Sequence, residues 1–184
     1  MEILQLGSSQ LQRIVGSVAP VAWGNITPAD LTVRQVVEHV VAGNIFAVRL
    51  LAGASAAAAT AGLDTDQLGD DPLAALTSSC QAQEAAFVAV DQRLDLHHPS
   101  GDISLETFLR FRLGELVVHA WDIAIGANLD ATLDARLVDG LWTMVEPHLD
   151  EMRAMGTFGP GASTTLPSDV SPQARLLDAF GRRT

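Results

Sequence analysis

Apolar residues recur three and four positions apart over long stretches of this chain, and that spacing predicts helices. The first is expected from about Ile3 to Val18, because Pro20 disfavours helix in the residue before it. A loop from Pro20 to Leu31 carries Trp23. At Thr32 and Gln35 the chain fits a capping box, in which each side chain satisfies a free backbone N–H of a helix's first turn. The second helix then presents Val33, Val36, Val37, Val40, Asn44, Ala47, Val48 and Leu51 on one largely apolar face, with Gly53 as a stop. Alanine-rich Ala52 to Gly62 either extends it or forms a loop. Asp71 as N-cap and Pro72 as first helical residue open a third helix that runs to about Val90. Asp91 to Ile103 reads as a loop. A fourth helix is expected from near Ser104 to about Ile125, stopped by Gly126, and a shorter one over Asp134 to His148. A Gly/Pro/Ser/Thr-rich tail, Gly156 to Ser168, leads to a closing helix from Ser171-Pro172 to near Gly181. Nothing alternates with a period of two between hairpin turns, so little or no sheet is expected. The predicted fold class is all-α, a helical bundle with additional short C-terminal helices.

Composition narrows the function. A length of 184 residues suits one domain, 1–184, with a substantial core. No apolar run approaches the roughly 18 residues that span a bilayer. The first ten residues lack a basic stretch followed by an apolar block, so no signal peptide is expected and the expected location is cytoplasmic. Net charge is −11, and all 11 positive side chains are arginines spread along the chain. Such a surface repels phosphate backbones and anionic lipid, which argues against nucleic-acid and membrane partners. Cys80 is the single cysteine, which excludes an internal disulfide and a cysteine-based zinc site. It reads as a small buried apolar side chain.

The candidate chemistry lies on the fourth helix. Leu105, Phe108, Leu109, Leu116, Ala120 and Ile123 form an apolar stripe there, and Glu115 and His119 project from its edge. Four residues apart, they are neighbours on the helix surface. A carboxylate on a buried face is costly unless it is paired or bound to a cation. A metal ion is one solution, since i,i+4 spacing lets one rigid helix supply two ligands. Asp122, one turn beyond, is placed to orient His119. His39 is the best candidate for a third ligand, at the border of the second helix's apolar face, with Gly43 one turn on leaving space for a neighbouring helix or a ligand. Two histidines and a glutamate leave a position for water or substrate, the mark of catalytic zinc; nickel or iron also accepts these ligands. The bland alternatives stand beside this: a solvated Glu–His pair contributing a few tenths of a kcal/mol, and a hydrogen-bonded structural His39. His97-His98 reads as part of a solvated loop, and His148 as a helix-end residue interacting with the dipole. Trp23, Trp121 and Trp142 read as core or interface residues.

Three segments resemble a known family. Leu31-Thr-Val-Arg-Gln-Val-Val-Glu-His-Val40 is similar to the W-T-V-R-D-V-V-A-H-V stretch of DinB-like proteins from actinobacteria. Gly114-Glu-Leu-Val-Val-His-Ala-Trp-Asp-Ile123 is similar to their E-L-V-V-H-x-W-D-L helix, and Ser171 to Arg182 looks like the S-P-x-D-R-L-L-A-x-x-G-R end of one metal-binding subgroup. Ala52 to Ile103 carries no matching motif. The resemblance extends to the N-terminal metal-binding domain of the mycothiol-dependent maleylpyruvate isomerases, a four-helix bundle that binds zinc through His, Glu and His. It implies a DinB-like four-helix bundle with His39, Glu115 and His119 as metal ligands. Many DinB-like proteins use three histidines, whereas this chain has Glu at one position. The isomerases carry a further small C-terminal domain that helps bind substrate, and nothing after the closing helix matches it, so a relative of the isomerase is expected rather than the isomerase itself.

Three functions follow as expectations. The first is a thiol-dependent metalloenzyme, an isomerase or S-transferase with mycothiol as cosubstrate and a small electrophilic substrate; no residue is singled out as a general base. The second is a metal-stabilised binding or regulatory module without turnover. The third is a metal-free bundle in which Glu115 and His119 only pair with each other. A homodimer is expected by analogy with DinB-like bundles.

Overall fold

The computed structural model describes residues 1–91, 94–155, 163, 166–167 and 169–183. They fall into two compact units, Met1–Ala131 and Thr132–Thr184. In the first unit the elements are α1 (Glu2–Val15), α2 (Val33–Leu51), α3 (Ala56–Thr60), α4 (Pro72–Ala89), the strands β1 (Leu96–His98) and β2 (Gly101–Ile103), and α5 (Leu105–Gly126). Both α1 and α2 pack against both α4 and α5, so the four long helices form the expected bundle with α1 across from α2.

The helix boundaries follow from local chemistry. Thr32 Oγ1 accepts from Gln35 N–H at 3.2 Å and Gln35 Oε1 accepts from Thr32 N–H at 2.9 Å, a complete capping box. Gly53, at φ +86°, ends α2: its N–H bonds to Leu50 O, and Ala54 N–H bonds to Arg49 O, the Schellman pattern. The alanine-rich stretch beyond does not extend α2, because Ser55 caps the separate helix α3. Asp71 Oδ1 accepts from Ala74 N–H at 3.0 Å and starts α4. α1 stops at Val15 rather than Val18, since Ser17 and Val18 bond three residues back and tighten the last turn ahead of Pro20.

Gly126 has a different role from the stop expected of it. It is the last residue of α5, and Asn128, at φ 54°, provides the left-handed turn that ends the helix. A Cβ at Gly126 would stand 2.8 Å from Thr27 Cγ2 and 3.0 Å from Val33 Cγ2. Asn25 Nδ2 also donates to Gly126 O at 2.9 Å, so the loop ahead of α2 is seated on the end of α5.

The stretch expected as a loop over Asp91 to Ile103 contains a short antiparallel hairpin, pairing Leu96 with Ile103, His97 with Asp102 and His98 with Gly101. Strands of three residues are too short for alternation to be read from sequence. Leu96, 1% exposed, anchors the hairpin in the core.

The second unit holds α6 (Ala135–Val145), a 3-10 turn Glu146–His148, α7 (Leu149–Met155) and α8 (Pro172–Ala179). Pro147 has no N–H to continue α6, so the helix expected to His148 tightens there and resumes as α7. His148 therefore lies at a junction rather than a free helix end, and its Nδ1 sits 3.0 Å from Glu151 Oε2. Ser171 caps α8, which packs on α6, and the Arg175 guanidinium lies 4.4 Å from the Trp142 ring centre. The tail Gly156 to Ser168 falls almost wholly outside the described residues. Among the described residues no helix is long and apolar enough to cross a membrane.

Candidate metal centre

The α2–α5 contact brings together the three side chains singled out from sequence. Val33, Val36, Val37 and Val40 anchor α2 in the core, which leaves His39 beside them with its side chain half exposed. Glu115 and His119 rise from adjacent turns of α5. His39 Nε2 lies 2.8 Å and His119 Nε2 3.2 Å from the same oxygen, Glu115 Oε2. The imidazoles meet edge to face, with ring centres 5.1 Å apart. One donor atom from each residue lies within 4.8 Å of the others, a spacing one divalent ion can bridge.

Asp122, fully buried, accepts from His119 Nδ1 at 2.9 Å. That bond fixes which imidazole nitrogen faces Glu115 and makes it more basic. Burial works against charge on both members of the Glu115–His119 pair. For Glu115 it is outweighed by the bonds from His119 and His39 and by the nearby Arg112, which hold the carboxyl well below its usual range. For His119, burial is outweighed by Asp122 and Glu115, and the imidazole is raised to about 9. Two imidazole nitrogens thus converge on one carboxylate oxygen, and a cation in their midst would satisfy the same three atoms. The donor set fits a divalent metal.

One turn away lies a group the sequence reading missed. The Arg112 guanidinium, 6% exposed, donates from Nε to Gln83 Oε1 at 2.8 Å and from Nη2 to Asn44 Oδ1 at 3.0 Å. Asn44 in turn donates to Ser79 Oγ at 3.0 Å. The space left by Gly43 is taken by this guanidinium: a Cβ there would stand 2.6 Å from Nη1.

Residues 4–124 match the family described as the mycothiol maleylpyruvate isomerase N-terminal domain. The chain belongs to that family. The match runs from α1 into α5 and contains His39, Glu115, His119 and Asp122, and it bears out the resemblance read from Leu31–Val40 and Gly114–Ile123. The resemblance at Ser171–Arg182 lies beyond the matched residues. No curated protein and no solved structure matches the chain.

The other candidates fall outside this cluster. His98 is not the solvated loop residue expected: it sits on β1 against Phe46, Phe108 and Phe111, with ring centres 5.6, 6.2 and 5.9 Å away. His97 is exposed and pairs with Asp102 at 2.8 Å. Cys80 is fully buried, and burial raises its thiol, which leaves it a core residue rather than a nucleophile. Trp121 is buried, while Trp23 and Trp142 are half-buried.

Proposed function

We propose that this chain holds one divalent metal ion through His39, Glu115 and His119 and uses it in thiol chemistry, as a mycothiol-dependent isomerase or S-transferase acting on a small electrophilic substrate. The observation that carries this is the convergence of the three side chains within 4.8 Å, in a chain whose family is named for mycothiol. Zinc suits two imidazoles and a carboxylate; nickel or iron also accepts them. The ion would supply Lewis acidity at a fourth position, where a thiol is deprotonated near neutral pH. His39, Glu115 and His119 serve as ligands alone. Asp122 keeps the Nδ1 proton of His119 turned away from the metal side. The half-exposed His39 side chain leaves the cluster open to solvent, which favours an accessible ion over one enclosed by protein.

The test is the metal content of protein purified without a nickel column, followed by thiol-dependent turnover of electrophiles. About one zinc or nickel per chain in the wild type and none in His119→Ala is expected. Full occupancy in that variant, or a metal-free wild type that takes up no added zinc, rejects the ligand assignment. A bound metal with no thiol-dependent turnover would leave the alternative, a metal-stabilised module without catalysis.

A further inference from the structure

Arg112 is a fully charged side chain held in the core without a hydrogen-bonded carboxylate. Its guanidinium donates to the amide oxygens of Gln83 and Asn44. Burying a cation against neutral amides alone costs stability. The carboxylate it faces electrostatically is Glu115, one turn on along α5. The position is built rather than incidental. Gly43 on α2 clears the path, and any larger residue there would collide with the guanidinium.

We propose that Arg112 is a positioning residue of the metal centre, a fixed buried cation that favours an anionic ligand over a neutral one at the metal's open position. This rests on the metal assignment proposed above. Two neutral imidazoles and one carboxylate cancel half of a divalent charge, and Asp122 cancels the rest. Arg112 restores a net positive charge, so a thiolate or other anion is drawn in where a neutral ligand is not. The other titratable groups facing Arg112 do not offset it. On α4, Cys80 is a buried thiol that stays neutral, and on β1, burial and Arg112 itself lower His98, which keeps it neutral. His39 on α2, and Glu115, His119 and Asp122 on α5, are already counted within the centre.

The test uses the full chain loaded with cobalt(II), whose visible spectrum reports the open position, and azide as the anionic probe. Arg112→Met removes the charge at similar length. Cobalt is expected to bind this variant at least as tightly as the wild type, because a like charge has gone. Azide affinity should fall on the order of tenfold, the scale of one charge at an effective dielectric of about 20. The pH midpoint of the cobalt spectrum should rise by about one unit. Arg112→Lys should recover most of both changes. Unchanged azide affinity and midpoint in Arg112→Met, or equal losses in Arg112→Lys and Arg112→Met, would overturn the proposal and leave Arg112 a packing residue. If Arg112→Met does not fold, Gly43→Ala displaces the guanidinium instead; a smaller shift in the same direction supports the proposal, and no shift refutes it. A wild type that binds no cobalt defeats the metal assignment itself, an outcome distinct from bound cobalt with an unperturbed azide response.

Discussion

In the metal-free protein the His119 imidazole lies between two carboxylates, Asp122 at 2.9 Å and Glu115 at 3.2 Å, and its pKa is raised from 6.5 to about 9. At pH 7 it therefore carries a proton that a metal at Nε2 must expel. Metal uptake is expected to release about one proton at that pH. Apparent zinc affinity should rise about tenfold per pH unit from pH 7 to about 9, roughly a hundredfold in all, and then level off. Competition against a chelator of known pH dependence measures the affinity, and calorimetry in two buffers of different ionisation enthalpy counts the proton. Stability of the metal-free form gives an independent check with a definite sign. A pKa raised on folding contributes stability that is complete below pH 6.5 and is lost as pH climbs through about 9. The whole contribution is on the order of 3 kcal/mol at 1.36 kcal/mol per unit, and with His119 8% exposed it needs no solvent discount. Melting temperature of the metal-free protein should fall across that window, while the zinc-loaded protein, with no proton there to lose, stays level. A flat zinc affinity from pH 7 to 9 with no proton released would mean that His119 is neutral before metal arrives, and the account of this centre would be wrong.

Three further outcomes follow from single contacts. Asp122→Asn should weaken zinc binding by roughly 10–100-fold while the α-helical circular dichroism is retained, since it loosens a ligand's orientation and basicity; unchanged affinity would remove Asp122 from the centre. Gly43→Ala places a Cβ 2.6 Å from Arg112 Nη1 and should lower unfolding stability in urea by about 1–3 kcal/mol; a neutral result would show that the guanidinium moves aside freely. Thr32→Ala removes the acceptor for Gln35 N–H and should cost about 1 kcal/mol in the same assay, with no loss expected if water caps α2 equally well.

Features governed by neighbouring residues were legible in the sequence. The caps at Thr32, Asp71 and Ser171 lie where they were expected, because a cap is a contact over two or three residues. Asp122 was placed correctly against His119 for the same reason, since helix geometry alone sets an i,i+3 pair. Gly126 shows the limit. Its stop signal is real chemistry, but close packing against Thr27 and Val33 from a distant segment explains it better. The stripe read on α5 was also too narrow, because α5 is buried nearly all round, including Arg110, Arg112 and Trp121, and a helix enclosed on several sides has no single apolar face to find. His39 was singled out by its place at the border of the apolar face of α2 and again by the family resemblance, but its approach to Glu115 depends on how α2 packs on α5, which no local pattern fixes.

Arg112 was missed because a buried charge looks like a surface charge in sequence. Its spacing nevertheless contains a clue. Positions 112, 115, 119 and 122 fall on one face of α5 and carry, in order, a cation, a carboxylate, an imidazole and a carboxylate, with Arg112, His119 and Asp122 all buried. Each charge in that ladder is opposed by the next, and a buried charge is tolerated only when it is so opposed. The third position is the one whose charge can change. With no metal, the proton on His119 keeps the alternation intact; with His119 neutral and no ion present, Glu115 and Asp122 would confront each other across it. A cation bound at Nε2 would replace that proton and preserve the sequence of signs. Under the proposed metal assignment, occupancy and stability of the α2–α5 contact would be coupled through one nitrogen atom, and raising the pH should make the protein progressively more dependent on added metal for folding.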